Sequence, residues 1–202
     1  YGPSLPIMLG TREIKPRVQG SKINPINKYD ISALSIGNLV EEDISVVWRG
    51  PIVHQAIEQM LRDTEWPGGE FMLIDLPPGT GDVQLSISQL CEVAGALIVS
   101  TPQDVALLDA VKAVNMFSKV DIDIVGIIEN MSQFVCPHCE KTTEIFSSNG
   151  AKKASEKIGA PFLGSIPIEL EVREGGDSGT PLMNRKRNSP ATQAFREIAD
   201  KL

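Results

Sequence analysis

Four short runs of uninterrupted apolar residues constrain this chain most: Phe71-Met72-Leu73-Ile74, Ala96-Leu97-Ile98-Val99, Ile124-Val125-Gly126-Ile127-Ile128 and Phe162-Leu163-Gly164-Ser165-Ile166. A strand with one wet face alternates apolar and polar residues, whereas a run apolar throughout belongs to a sheet covered on both faces. Helix-length segments separate the runs, so the expected fold is α/β, a mostly parallel sheet with helices on both faces. Right-handed crossovers then bring Asp75, Thr101, Asn130 and Pro167 to one edge, where sheets of this kind bind ligands.

The punctuation agrees with that scheme. Gly50-Pro51 opens a helix with Val53, Ile57, Met60 and Leu61 on one face, closing before Pro67-Gly68-Gly69. A second helix starts near Asp82 and carries Val83, Ile87, Leu90 and Ala94 on one side. Thr101 is expected to cap the third, with Pro102 at its first position, Asp104 at its third, and Leu107, Ala110, Val111, Val114 and Phe117 as its apolar face. Further helices fit residues 149–159 and 190–202, and the chain up to about Trp48 reads as loop and short strands.

At 202 residues with 42% hydrophobic content, one domain spanning 1–202 is expected. Folding of such a domain buries roughly 70% of the unfolded surface without disulfides. Lys and Arg number 19 against 26 Asp and Glu, a net charge of −7, which disfavours broad binding to nucleic acid or anionic membrane. The apolar runs fall far short of the about 20 residues that span a bilayer, and there is no basic-then-apolar leader at the start. A soluble cytoplasmic protein is the expectation, mitochondrial or plastid if a leader precedes Tyr1.

Two segments carry chemistry. The first is Asp75-Leu76-Pro77-Pro78-Gly79-Thr80-Gly81-Asp82. A carboxylate ending a buried strand can hold the hydration shell of Mg²⁺, and the N–H of Gly79 can approach a terminal phosphate. The bland alternative is a strand-ending acid and a tight turn. The second is Cys136-Pro137-His138-Cys139, in a polar loop at about 131–147. Two thiolates so spaced grip one metal, yet a tetrahedral site or a cubane cluster takes four ligands. His138 lies between them and is not expected to ligate, and Cys91 is expected to be a buried small hydrophobe. The economical completion is a second copy of the chain across a two-fold axis. Zinc suits the same spacing, and a thioredoxin-like redox pair is disfavoured because several residues separate the cysteines from the strand. Arg49, before a helix start, is an anion contact or a solvated charge. His54 is expected on a helix surface, and Trp66 in the core or at its rim.

Together with Tyr1-Gly2-Pro3-Ser4, Val40-Glu41-Glu42, Trp48-Arg49-Gly50-Pro51, Ser100-Thr101-Pro102-Gln103-Asp104, Glu129-Asn130-Met131-Ser132 and Arg173-Glu174-Gly175-Gly176-Asp177-Ser178-Gly179, these segments resemble the Mrp/ApbC iron–sulfur cluster carrier ATPases, kin of the MinD/ParA/NifH-like P-loop proteins. The resemblance implies a dimeric ATPase of the SIMIBI/MinD-like type that binds ATP with Mg²⁺, holds a [4Fe-4S] cluster between chains through Cys136 and Cys139, and passes it to apo-proteins. It gives Asp75 the Mg²⁺-associated acid, Gly79 the terminal-phosphate switch, Asn130 the reading of adenine, and Pro167 and Ile168 the lining of the base. The family's N-terminal strand, phosphate loop and helix do not occur in these residues, which hold no Gly-x-x-x-x-Gly-Lys-Ser/Thr string. The chain taken alone is therefore expected to bind ATP weakly or not at all and not to hydrolyse it. Two rival readings are a zinc-stabilised dimerisation module and a MinD/ParA-type positioning ATPase. The helix at 190–202, mixing Arg196, Glu197, Asp200 and Lys201 with modest apolar content, reads as a packing helix rather than the latter's membrane anchor.

Overall fold

Three of the four apolar runs build the sheet. The computed structural model describes residues 2, 4–40, 50–77, 79, 81–136, 138–139, 141–185 and 188–202, the side chain of Pro51 excepted. In order, the chain forms α1 (Ser4–Met8), β1 (Arg17–Gln19), β2 (Lys22–Asn24), β3 (Ile26–Lys28), β4 (Ile31–Ala33), α2 (Ile36–Leu39), α3 (Gly50–Arg62) and α4 (Asp82–Leu90). There follow β5 (Ala96–Ser100), α5 (Asp104–Lys119), β6 (Ile124–Val135), β7 (Thr142–Thr143), α6 (Gly150–Ile158), β8 (Phe162–Ile168), α7 (Leu170–Asp177), a 3-10 turn at Leu182–Arg185 and α8 (Pro190–Ala199). Two compact units result: Tyr1–Cys91 with Glu174–Arg185, and Glu92–Arg173 with Lys186–Leu202.

In the second unit β6 is central. β5 and β8 flank it, both parallel to it, with Val99 opposite Ile128 and Asn130 opposite Ile166. Ile127 at its middle is 1% exposed. The far end of β6 turns back as a hairpin with β7, pairing Val135 with Thr142. Successive residues of a strand face opposite sides. Glu129 bonds to α6, whereas a Cβ on Gly164, opposite Ile128, would meet Ile198 of α8 at 3.0 Å. Helices therefore cover both faces, as the unbroken apolar runs require.

Among the described residues, the first unit holds the hairpins β1–β2 and β3–β4, the helices α1 to α4, the end of α7 and the 3-10 turn. Tyr29 and Asp30 join β3 to β4 with φ of 54° and 59°, the paired left-handed conformation of a two-residue hairpin turn. Val53 and Ile57 of the predicted α3 face are each 6% exposed, but of the predicted α4 face only Ile87, at 6%, is buried, and the other buried residues of α4 are the polar Gln84 and Ser86.

Several expectations are corrected. Residues 71–74 form no strand: Phe71 is 78% and Leu73 86% exposed, and no described strand pairs with them. Apolar composition favours a strand, but a strand exists only through hydrogen bonds to a neighbour. Asp75 consequently ends a coil segment. Thr101 does not cap α5. Gln103 is the extended N-cap, with ψ of 136°, and Asp104 is the first helical residue. The Pro102 carbonyl lies 2.4 Å from where a Cβ on Gly150 would stand, so packing against α6 sets that start. α4 ends at Leu90, leaving Ala94 outside it, and α8 ends at Ala199. The expectations for Trp48 and Arg49, and for the turn residues Pro78 and Thr80, lie outside the described residues.

Candidate functional site

In the first unit the segment from Asp75 to Asp82 delivers the chain into α4. Asp75 is exposed, and so is Gly79, whose φ is +103°. No described residue stands within 4 Å of a Cβ placed on Gly79, which leaves room there for a close-approaching group. Below it lies Gln84, 3% exposed, which the sequence reading did not single out. Its Nε2 donates to the carbonyls of Pro77 at 3.0 Å and Gly79 at 2.8 Å, and its Oε1 accepts from the N–H of Gly81 at 3.0 Å. The last bond is the returning half of a capping box, with Gly81 as N-cap and Gln84 at the third helical position. That spacing was readable in the sequence. One turn on, Ser86 donates to the Asp82 carbonyl at 2.7 Å and pairs with Nδ1 of His54 at 2.8 Å. His54 is thus half-buried against α4 rather than a surface residue.

In the second unit the end of β6 is shaped by a bulge. Met131 takes φ of 56°, its N–H donates to Asn130 Oδ1 at 3.0 Å, and the register with β8 shifts between Asn130 and Phe134. Asn130 is half-buried, Pro167 buried and Ile168 half-buried, so β6 and β8 bring these three predicted residues to neighbouring strand ends. Ser132 ties the bulge down by donating to the Ile166 carbonyl at 3.1 Å. Beside it Glu129, 2% exposed, accepts from the N–H of Ala151 at 2.9 Å and from the Ser165 hydroxyl at 3.4 Å. A carboxylate there compensates the positive N-terminal end of α6.

The cysteines occupy the turn of the β6–β7 hairpin. Cys136 N–H donates to the Lys141 carbonyl at 3.1 Å, closing the turn one step beyond the Val135–Thr142 pair. Backbone N–H groups of His138 and then Cys139 point at the Cys136 sulfur, and with the Cys139 thiol they hold its pKa below the ordinary value. Cys136 is half-buried; His138 and Cys139 are exposed. Two thiols on one turn, one of them receiving two N–H bonds, are donors of the kind a thiophilic metal takes. Among the described residues no three His, Cys, Asp or Glu side chains gather into a metal site. Cys91 lies elsewhere, half-buried at the C-cap of α4, where burial raises its thiol pKa.

A parallel sheet covered on both faces, with candidate residues along and after its strands, defines an α/β protein of the open-sheet class. An ADP-bound nucleotide-binding protein from Archaeoglobus fulgidus superposes with a TM-score of 0.76 at 30% identity, over 96% of this chain and 74% of that one. The cell division ATPase MinD of Pyrococcus furiosus shares the fold with a TM-score of 0.64, over 98% of this chain and 79% of its own, at 21% identity. The family model described as ParA: NUBPL iron-transfer P-loop NTPase matches residues 1–202, and the chain belongs to that family. The iron-sulfur protein required for NADH dehydrogenase, mitochondrial, of Arabidopsis thaliana is 45% identical over 98% of this chain and 64% of its own length. The iron-sulfur cluster carrier protein of Escherichia coli K12 is 42% identical over 100% of this chain and 55% of its own length. The chain thus spans between about half and two thirds of these curated relatives.

Proposed function

We propose that this chain is part of an iron–sulfur cluster carrier that binds a [4Fe-4S] cluster through Cys136 and Cys139 and delivers it to apo-proteins under the control of bound nucleotide. The observation that carries this reading is the Cys136–Cys139 turn: two thiols at the tip of a hairpin, with backbone N–H groups lowering the pKa of Cys136. A cubane cluster takes four thiolates. A second copy of the chain supplies the other pair most economically, in a homodimer with the cluster on its axis. Held by only two ligands per chain, the cargo is released when the pair separates.

For the nucleotide, Asp75 and Gly79 are assigned the Mg²⁺ and terminal-phosphate roles, on the strength of the open, left-handed Gly79 backbone. Asn130, Pro167 and Ile168 are assigned the adenine, on the strength of the bulged end of β6 beside β8. Both units are then parts of one ATPase domain, with the cysteine hairpin as its cargo arm. Three free cysteines fit a reducing compartment, the cytoplasm or an organelle interior.

Anaerobic reconstitution of the natural-length protein with ferrous iron and sulfide tests the reading. The expected product is a brown dimer with about four irons per two chains, lost in Cys136→Ala and Cys139→Ala. A colourless protein that retains zinc in its place would overturn it and make the hairpin a structural clasp.

A further inference from the structure

Both polar ends of the Gln84 amide are engaged beneath the Pro77–Gly81 loop. At the third position of a helix a Glu serves the capping role as well as a Gln, since only an acceptor for the N-cap N–H is needed. A carboxylate, however, has no hydrogen to give. Here two carbonyls, those of Pro77 and Gly79, turn inward at 3.0 and 2.8 Å, and only an amide satisfies both while still accepting from Gly81. With Gln84 3% exposed, water does not replace those bonds. Gln84 thus ties Pro77, Gly79 and Gly81 together, while no described residue crowds the Cβ side of Gly79.

We propose that Gln84 is a positioning residue that sets this loop for the terminal phosphate of a nucleoside triphosphate, so that the protein distinguishes triphosphate from diphosphate through the amide. The inference rests on the nucleotide role given to Asp75 and Gly79 above. A diphosphate lacks the group that would meet Gly79, so diphosphate affinity is independent of Gln84, while triphosphate turnover depends on it. Loops that read a terminal phosphate do so by holding one of two arrangements. Gln84 acts here by fixing the carbonyls, without touching the nucleotide.

Gln84→Glu in the natural-length protein is the informative change. The variant keeps the size of the side chain and the acceptor for Gly81. It loses both donors when ionised and regains one O–H donor when protonated. At pH 8 the expected result is about a tenfold loss of ATP turnover with ADP affinity within about twofold of wild type. Turnover relative to wild type recovers as the pH falls through the carboxyl range, which burial beside two carbonyls moves above the ordinary Glu value of about 4.3. His54, facing α4 from α3, and Asp82 on α4 itself are present in both proteins, so the variant-to-wild-type ratio removes their contribution. A wild-type protein that neither binds nor hydrolyses ATP sinks the nucleotide reading and this inference with it. A nucleotide-responsive wild type beside a Gln84→Glu variant indistinguishable from it at pH 8 sinks the inference alone. Should the variant not fold, amide exchange of wild-type residues 77–84 decides. The Gly81 amide is expected to exchange slowly without nucleotide and more slowly with a non-hydrolysable ATP analogue, and equal exchange with that analogue and ADP overturns the proposal.

Discussion

The same thiol meets opposite surroundings at Cys136 and Cys91. At Cys136 backbone N–H groups from His138 and Cys139 stabilise the thiolate, so its pKa falls below 9.0; at Cys91 burial penalises the charge, so its pKa rises above that value. A lower pKa leaves more thiolate at any pH beneath it. Iodoacetamide added to the reduced, iron-free protein near neutral pH should therefore label Cys136 well before Cys91, as read by peptide mass spectrometry. The Cys136 rate should also reach its plateau at a lower pH, and equal rates for the two would remove the account of the turn given above. The cysteine pair was legible in the sequence because two thiols three residues apart are a recognisable spacing. Gln84 was not singled out, since its importance lies in carbonyls turned inward by a loop whose shape no spacing reveals.

Elements start where tertiary contacts let them, and two helices here are capped from outside their own sequence. Glu129 in the middle of β6 accepts from Ala151 in α6, and Glu169 after β8 accepts from Ala191 in α8 at 2.7 Å. Both alanines are 0% exposed, so water cannot reach either N–H if the carboxylate is removed. Glu129→Ala should cost about 2–3 kcal/mol, the range for stranding a buried donor of this kind. Glu129→Gln keeps a carbonyl acceptor and should cost about 1 kcal/mol, mainly the lost charge at a helix N-terminus. Denaturant midpoints of the two variants check the order, and equal losses would mean that packing of the side chain, not the cap, is what matters. The strands at β5, β6 and β8 were legible because unbroken apolar runs are a local signal. The coil at 71–74 was not, because a strand is a property of two segments and the run itself is only one of them. α7 and the short β7 went unread for a related reason: neither offers an apolar period long enough to separate it from loop.

For the whole molecule, composition limited the classes of partner early, through a net charge of −7 and the absence of any apolar stretch of bilayer length. No described helix is long and apolar enough to cross a membrane. What the sequence left open is how many chains make one site, and mass action answers it. A cluster bound within one chain has an occupancy that ignores protein concentration. A cluster shared between two chains is lost as the pair dissociates, and its occupancy falls once the protein is diluted below the dimer dissociation constant. Serial, roughly tenfold dilutions of reconstituted protein under anaerobic conditions, with an iron chelator to trap what is released, should lower the visible absorbance per chain in step with the loss of dimer mass. Wild-type protein refilled at high concentration should recover both together, because the hairpin that holds two of the four ligands is formed within each chain by the β6–β7 pairing. Absorbance per chain that stays constant while the dimer disappears would place all four ligands within one polypeptide, and the two-chain cluster would have to be abandoned.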